Sequence, residues 1–271
     1  MSIIQKTEHG VPFLVSEGLA AAGGVAHGFS TRLGGVSTGM WDSLNLGVSR
    51  GDDPDRVREN YRRFLSAIGA EGYALAMCNQ VHGTVIHNVT TADVKRDPYQ
   101  PIGLEGDGLM TAVPGVALTV FTADCIPVFL YDPKRKVIAA LHAGWRGTAA
   151  GIVTAAVEQM TALYGTDPAD LLAAIGPGIG PDCFETHEDV PNAMTAALLS
   201  NSLPYLRLKD NGKFAVDLKG INARRLELAG LDPAHIDLCH ECTACLGDKY
   251  WSHRLLGTQR GSMASSIALC L

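Results

Sequence analysis

The sequence lacks an apolar run of about 18 residues, the length that a helix needs to cross a membrane, so no membrane span is expected. Its N-terminal segment, MSIIQKTEHGVPFL, has no charged stretch followed by a long apolar run, so we expect no signal peptide and a cytoplasmic location. Charged residues are only 18% of the chain, and the net charge of −6 leaves no basic surplus. These features exclude a membrane protein and a general nucleic-acid-binding surface.

The pattern of a disulfide-bonded secreted domain is also missing. The chain is long, at 271 residues, and its seven cysteines are an odd number. We therefore expect free or metal-bound thiols in a reducing compartment.

Apolar residues are plentiful and predict a folded protein with a large core. They make up 46% of the sequence, which excludes intrinsic disorder. Strand-like apolar runs, such as residues 115–132, alternate irregularly with helical stretches, such as residues 55–69 and 148–164. No repeat or linker divides the chain. We predict that residues 1–271 form a single α+β domain with mixed β-sheets flanked by helices.

Three potential metal ligands follow strand-like segments. His82 lies in NQVHG, Cys125 ends FTADC, and His142 ends ALH, directly before AGWRG. Two imidazoles and one thiolate suit Zn²⁺, with copper as the alternative, and three protein ligands leave a fourth position open, as in catalytic zinc sites. A bound Zn²⁺ lowers the pKa of its water to about 7. The alternative is structural, with two histidines at the edge of the core and a buried thiol.

The same residues also fit a cysteine hydrolase. Cys125 is then a thiolate nucleophile, His142 or His82 its base, and Asp124 the group that orients the pair. Both uses need a deprotonated sulfur, so the residues alone leave the two interpretations open.

A series of motifs resembles one protein family along nearly the whole chain, from about residue 27 to residue 264. They are FSTRLGGVSTG, SLNLG, NQVHG, GDGLMT, TADCIPV, LHAGWRGT and IGPGIGPDCFE. The chain resembles the bacterial laccase-domain proteins, also called the multicopper polyphenol oxidase or purine nucleoside phosphorylase family. The resemblance implies a pair of mixed sheets flanked by helices and a metal triad of His82, Cys125 and His142.

The resemblance further implies zinc-dependent purine nucleoside chemistry. The expected reactions are phosphorolysis of adenosine, inosine and methylthioadenosine, and deamination of adenosine, so the expected partners are a nucleoside and phosphate. The older family name implies a copper polyphenol oxidase, or laccase. The nine histidines form no His-x-His pair, which argues against a trinuclear copper cluster. A metal-independent amidase acting on a small cell-wall-type amide, and a non-enzymatic binding module, remain as alternatives.

Further site residues are assigned by their chemistry and position. Guanidinium groups suit bidentate contact with phosphate, amides suit the edges of a base or ribose, and an indole can stack on a purine. Each can instead serve as an ion pair, a turn cap or a core residue. We assign catalytic roles to Cys125, Asp124 and Arg146. The predicted phosphate and substrate contacts are Arg146, Arg32, Asn45, Gln80, Arg254, Arg260 and Trp145, and the candidate proton carriers are Asp124 and Glu185.

The C-terminal part contains the motif CHECTAC. Its cysteines, Cys239, Cys242 and Cys245, have the spacing of half an iron–sulfur motif, but the completing cysteine and proline are missing. Cys270 could supply a fourth sulfur only by folding back. We expect a structural or incidental role for these cysteines.

Overall fold

The computed structural model describes residues 2–100 and 103–271. In this part of the chain there are fifteen strands, β1 to β15 in order: Ile3–Glu8, Val11–Ser16, Val25–Ser30, Ala74–Ala76, Ile86–Asn88, Gly108–Thr111, Val116–Thr122, Ile126–Asp132, Val137–Ala143, Leu172–Ile175, Glu185–Thr186, Leu206–Leu208, Phe214–Val216, Ile236–Leu238 and Met263–Leu269. The same part has seven α-helices, α1 to α7: Glu17–Ala22, Pro54–Ala67, Trp145–Ala150, Ile152–Tyr164, Asp189–Leu198, Leu218–Leu228 and His253–Leu256.

The strands form two large mixed sheets and one small sheet. The first large sheet has the order β1-β2-β3-β15-β7-β4, the second has the order β14-β10-β8-β9-β6-β5, and the small sheet has the order β11-β13-β12. Most neighbours are antiparallel, while β4 and β7, β5 and β6, and β10 and β14 run parallel. The predicted α+β fold with mixed sheets and flanking helices is therefore confirmed.

The core between the two large sheets follows the two-residue period of a strand. In β8, Phe129 and Tyr131 face the first sheet, while Val128 and Leu130 face the helices on the other side. Phe129 stacks on Phe29 of β3, with the ring centroids 4.5 Å apart. The continuous apolar run of β8 is explained by this burial of both faces.

Helices cover the outer face of each large sheet. On the first sheet, α2 buries Val57, Tyr61 and Phe64 against β2 and β15. This helix begins as its sequence predicts, with Asp53 as the N-cap and Pro54 in the first turn. On the second sheet, α4, α5 and α6 bury their apolar faces in a separate cluster.

One predicted helix is divided in two. The sequence predicts a helix over 148–164 ended by Gly165, and Gly165 does end α4 in the left-handed conformation. Gly151, however, also has a left-handed φ of +86° and separates α3 from α4. A Cβ at this position would lie 2.9 Å from Nη1 of Arg225, so the break brings the helix backbone close to that side chain.

The strand ends bring the predicted ligands together. The turn between β7 and β8 carries Cys125, the C-terminal end of β9 carries His142, and the loop between β4 and β5 carries His82. No helix in residues 2–100 and 103–271 is long and apolar enough to cross a membrane.

Candidate metal centre

A cavity of about 640 Å³ opens where these strand ends meet. His82, Cys125 and His142 line it, although 60 residues of chain separate the first from the last. His82 is exposed, Cys125 is partly exposed and His142 is buried. The three side chains therefore span from the cavity floor to solvent.

The ligand atoms of these three residues form a compact group. They all lie within 4.8 Å of one another, with Cys125 Sγ 3.9 Å from His82 Nε2. The two imidazole rings are nearly perpendicular, with centroids 4.9 Å apart. A tetrahedral Zn²⁺ spaces a coordinated sulfur and nitrogen by about 3.6 Å. The residues present thus fit a borderline metal such as zinc, and the three donors leave one position for substrate or water.

A buried carboxylate that the sequence analysis missed orients the site. Asp107 is fully buried, and its Oδ1 accepts a hydrogen bond of 2.8 Å from Nδ1 of His142. This bond places the proton of the neutral imidazole on Nδ1 and leaves Nε2 free as a ligand. Asp107 lies in the GDGLMT motif, so the signal was present, but nothing local connects it to a histidine 35 residues away.

Asp107 also holds the loop that carries the first histidine. Its carboxylate accepts the backbone N–H groups of Val81, His82 and Gly83 at 3.1, 3.0 and 2.7 Å. His82 has a φ of +62°, which costs energy for a residue with a Cβ. The three hydrogen bonds stabilise this backbone conformation, so one carboxylate fixes two of the three ligands.

Gly144 lies against all three ligands. A Cβ added there would come within 2.8 Å of Cδ2 of His82 and 3.3 Å of Sγ of Cys125. The same atom would be 3.7 Å from Cε1 of His142. The close approach of these side chains therefore requires glycine at this position.

The electrostatics of the site favour a thiolate. Burial alone would raise the pKa of Cys125, but the neighbouring His142 and His82 outweigh burial and lower it. Burial would lower the pKa of His142, but the Cys125 thiolate and Asp107 raise it. Both shifts favour the charged forms, a thiolate on Cys125 and an imidazolium on His142. A metal ion held by these residues would take the place of the imidazolium proton.

The structure brings three of the predicted arginines to the cavity and adds a fourth. Arg146, Arg254 and Arg260 line it, and so does Arg50, which sequence reasoning missed. Arg50 lies three residues after the motif SLNLG, so its neighbourhood carried the family signal without marking the residue itself. The cavity therefore presents positive charge beside the candidate metal ligands.

Arg260 and Arg50 form a pair that fits an anion. Arg260 is only 8% exposed, and its Nε is buried without a hydrogen-bond partner. Both guanidinium groups donate to Oγ of Ser262, at 3.2 Å from Arg260 and 3.1 Å from Arg50. Burial and then the nearby Arg50 lower the pKa of Arg260 to about 10. Neither arginine has a carboxylate ion-pair partner within residues 2–100 and 103–271, so a phosphate would relieve the repulsion.

Arg32 has structural partners in place of the predicted phosphate contact. Its guanidinium stacks 3.7 Å from the Trp251 ring centroid and donates to the carbonyl oxygens of Asp42 and Gly247. Arg32 is absent from the described residues that line the cavity. Since these contacts use its donors, the structure gives no support for a substrate contact.

The side-chain amides of Asn45 and Gln80 also make hydrogen bonds to the backbone. Asn45 is buried away from the cavity, and its Oδ1 accepts the N–H groups of Gly47 and Ser262 at 2.9 and 3.0 Å. Gln80 does line the cavity, but its amide makes two hydrogen bonds to the backbone of Phe121, at 2.8 and 2.7 Å. The alternative of turn capping fits both residues better than contact with a base or ribose.

The candidate proton carriers have other roles. Asp124 lines the cavity, but its carboxylate accepts hydrogen bonds from Thr243 Oγ1, Ser252 Oγ and the Arg254 N–H at 2.6, 3.0 and 2.6 Å. It thereby positions the turn before Cys125, whereas orientation of the histidine, first assigned to Asp124, is performed by Asp107.

Glu185 lies outside the cavity lining in the part of the chain that is described. It pairs with Lys209 and Lys213 at 2.6 and 3.1 Å, and these lysines lower its pKa to about 2. A carboxyl group with so low a pKa is a poor proton carrier near neutral pH.

Comparisons with known proteins agree with this architecture. The model of the family described as multi-copper polyphenol oxidoreductase laccase matches residues 26–270. A purine nucleoside phosphorylase of Deinococcus radiodurans is 40% identical over 264 residues, covering 97% of this chain and 95% of that protein. The purine nucleoside phosphorylase YfiH of Escherichia coli is 35% identical over 246 residues, covering 91% and 94%.

A solved structure has the same fold. The crystal structure of YlmD from Geobacillus stearothermophilus superposes with a TM-score of 0.91 at 32% identity, covering 99% of this chain and 100% of that one. The resemblance inferred from the motifs is thus confirmed. From the family match over nearly the whole chain, together with these relatives, the protein belongs to the family described as multi-copper polyphenol oxidoreductase laccase.

Proposed function

We propose that this protein is a zinc-dependent purine nucleoside phosphorylase that also deaminates adenosine. The relatives carry the name purine nucleoside phosphorylase. The observation that carries the proposal is one cavity that holds both a cluster of three potential metal ligands and two neighbouring arginines, Arg50 and Arg260, without a carboxylate partner in the described part of the chain. A phosphate-consuming reaction needs an anion site beside the reacting sugar, and Arg50 with Arg260 supplies it.

The metal would be held by His82, Cys125 and His142. Bound zinc supplies Lewis-acid chemistry at its open coordination position, whereas copper is the alternative occupant of the same donors. Asp107 keeps the two histidine ligands in place and holds the proton of His142 on Nδ1. The metal-facing nitrogen of that ring is therefore unprotonated when the site is filled.

Phosphorolysis then depends on the position of phosphate. A phosphate oxygen forms a bond to C1′ of the sugar while the glycosidic C–N bond breaks, and the purine nitrogen takes up a proton. Arg260 and Arg50 would bind phosphate, and Arg146 stands at the exposed rim of the cavity. Deamination of adenosine takes place at a different atom. Water oxygen forms a bond to C6 of the purine, the bond from C6 to the amino nitrogen breaks, and ammonia leaves to give inosine.

The purine would lie against the aromatic part of the cavity. Phe121, Trp145 and Phe184 line it, and Arg146 lies over the Trp145 ring, 4.3 Å from its centroid. A volume of about 640 Å³ lies within the range of small-molecule sites. Adenosine, inosine and methylthioadenosine share the purine that these rings would contact.

One experiment tests the proposal directly. Zinc-loaded protein is incubated with adenosine, with and without phosphate, and the products are separated by chromatography. Adenine and ribose 1-phosphate should form only with phosphate, inosine should form without it, and a strong chelator should stop both. His142→Ala should lose zinc and both activities together, whereas Arg62→Lys, at an exposed arginine outside the cavity, should retain them. Full activity in metal-free protein would contradict the proposal.

A specific observation favours a second candidate, the cysteine hydrolase. Cys125, His142 and Asp107 have the order of groups found in nucleophile–base–acid triads. This candidate predicts turnover of a small amide without metal and rapid alkylation of Cys125 in the resting enzyme. Zinc should protect Cys125 from alkylation if the sulfur is instead a metal ligand.

The copper oxidase alternative has its own signature. It predicts stoichiometric copper and oxygen consumption with a phenol substrate, neither of which zinc-dependent phosphorolysis requires. A binding module would instead retain a nucleoside without turnover.

We further propose that the chain works as one catalytic domain in a reducing compartment such as the cytoplasm. The cavity draws residues from Gly47 to Ser262, so no shorter segment contains the site. A thiolate ligand such as Cys125 stays available for a metal only while it is protected from oxidation.

A further inference from the structure

A second cluster of thiols lies outside the catalytic cavity. Cys183 follows the Gly/Pro loop after β10, and Cys242 and Cys245 form a C-x₂-C turn after β14. The Sγ atoms of Cys183 and Cys245 are 3.3 Å apart although 62 residues separate them in sequence. All three sulfur atoms lie within 4.8 Å of one another.

The backbone around Cys242 is arranged to stabilise a thiolate. The N–H of Gly180 donates to Cys242 Sγ at 3.1 Å. Burial would raise the pKa of Cys242, but this bond and the backbone N–H groups of Cys245 and Ala244 lower it. A Cβ on Gly180 would lie 3.1 Å from Cβ of Cys242 and 3.3 Å from its sulfur, so glycine permits this approach. Amide N–H groups that converge on one sulfur favour its charged form.

The separations fit a shared cation. Sulfur atoms bound to one tetrahedral zinc are about 3.8 Å apart, whereas the sulfurs of a disulfide are about 2.05 Å apart. The distance of 3.3 Å between Cys183 and Cys245 is much closer to the first value. Three neighbouring thiolates repel one another, and a divalent cation removes that repulsion.

We propose that Cys183, Cys242 and Cys245 form a second metal site, which binds Zn²⁺ through three thiolates. Thiolates are preferred ligands of zinc, and Cys245 is exposed, so solvent can fill the fourth position. The guanidinium of Arg254 donates to the carbonyl oxygen of Cys183 at 3.0 Å and offsets the negative charge of the filled site.

The cysteine that the sequence grouped with these residues is not part of the site. Cys239 is buried in the core between the two large sheets, and burial raises its pKa. The backbone N–H of Cys270 pairs with Gly24 at the end of β15. Cys183, from a distant loop, takes the third position that the C-x₂-C-x₂-C pattern suggested for Cys239.

A metal at this cluster would brace the catalytic cavity. Thr243, between the two turn cysteines, donates through Oγ1 to Asp124 at 2.6 Å and through its N–H to the Gly178 carbonyl at 3.2 Å. Asp124 directly precedes Cys125. The proposed site therefore fixes the segment that holds the turn of a catalytic metal ligand, and its role is structural.

Cadmium titration of a variant without the catalytic histidines tests the second site alone. Fully reduced, metal-free His82→Ala/His142→Ala protein is titrated with Cd²⁺, and thiolate-to-metal charge-transfer absorption is recorded with zinc competition. We expect one tight equivalent of Cd²⁺ that zinc displaces. The same background carrying Cys245→Ser should lose this absorption, while Cys270→Ser, which removes another exposed thiol, should retain it.

Two outcomes would overturn the proposal. One is a titration with all three cysteines intact that shows no tight equivalent of Cd²⁺ with thiolate-to-metal absorption. The other is peptide mapping of protein purified under strong reductant that finds Cys183 and Cys245 joined as a disulfide and no metal bound. The titration of the protein with intact cysteines does not depend on the folding of any cysteine variant.

Discussion

Replacement of Asp107 by asparagine should weaken the metal site while leaving its three ligands unchanged. The two carboxylate oxygens accept four N–H groups, with His142 Nδ1 and the His82 amide on Oδ1 and the Val81 and Gly83 amides on Oδ2. An asparagine side chain has the same shape but presents an NH₂ group in place of one oxygen. Whichever way the amide turns, two N–H groups therefore face a donor.

Each orientation of the amide has a different cost. If NH₂ replaces Oδ1, Nδ1 of His142 must become an acceptor, which moves the ring proton onto the nitrogen that faces the metal. If NH₂ replaces Oδ2, the N–H groups of Val81 and Gly83 lose their acceptor, and the loop that carries His82 loses two of the hydrogen bonds that hold it. Loss of such an outer-shell partner lowers metal affinity about 10- to 100-fold. We expect a loss of this size for Zn²⁺.

Competition with a chromophoric chelator measures the effect. The background should carry Cys245→Ser, so that zinc binds only to His82, Cys125 and His142. Asp132→Asn is the matched control, because Asp132 is also buried and accepts two backbone N–H groups, from Lys134 and Arg135, away from the cavity. The control should bind zinc as the parent does. Unchanged zinc affinity in folded Asp107→Asn protein would refute the role that we assign to this carboxylate.

Three further predictions concern the cavity and the core. Gly144→Ala should reduce zinc affinity by competition assay, since its Cβ would meet His82 and Cys125; zinc binding at the parent level would contradict the close approach seen here. Arg260→Met should raise the KM for phosphate about 10- to 100-fold in steady-state assays, because a charge-assisted hydrogen bond is lost. Phosphate-independent deamination should keep its rate. Equal losses in both reactions would argue against a phosphate contact. Burial lowers the pKa of His27 to about 4, so the unfolded chain binds this proton first and stability is lost as the pH falls from about 6.5 to 4. Between pH 7 and pH 5 the parent should therefore lose about 2 kcal/mol more unfolding free energy than His27→Gln, as measured with urea, and parallel pH profiles would show that His27 does not titrate with folding.

The elements of the fold follow from local patterns because their causes are local. The Asp53-Pro54 start of α2 and the buried run of β8 are fixed by residues a few positions apart. The ligand candidates could also be read from the chain, since each stands where a strand-like segment ends. The break at Gly151 was not predicted, and the side chain that lies close to it, Arg225, comes from another helix.

The partners of the ligands escape sequence reasoning for a physical reason. A buried polar group must find a hydrogen-bond partner, but that partner can lie anywhere in the chain. Asp107 accepts a hydrogen bond from a histidine 35 residues away, and Arg50 donates one to Ser262, 212 residues away. Conversely, Arg32 looks like an anion ligand by sequence, yet its donors go to backbone carbonyl oxygens.

Two buried aspartates together explain how the site exists before a metal binds. His82 and Asp124 both have positive φ values, +62° and +92°, which a residue with a Cβ adopts only when its surroundings compensate. Asp107 stabilises the first by accepting N–H groups of the His82 loop, and the Asp124 carboxylate stabilises its own turn through Thr243, Ser252 and Arg254. Because these hydrogen bonds involve no metal, the backbone that carries His82 and Cys125 is already positioned. A metal that binds here orders little of the chain, so the entropy cost of ordering the backbone is small and the affinity for the metal is higher.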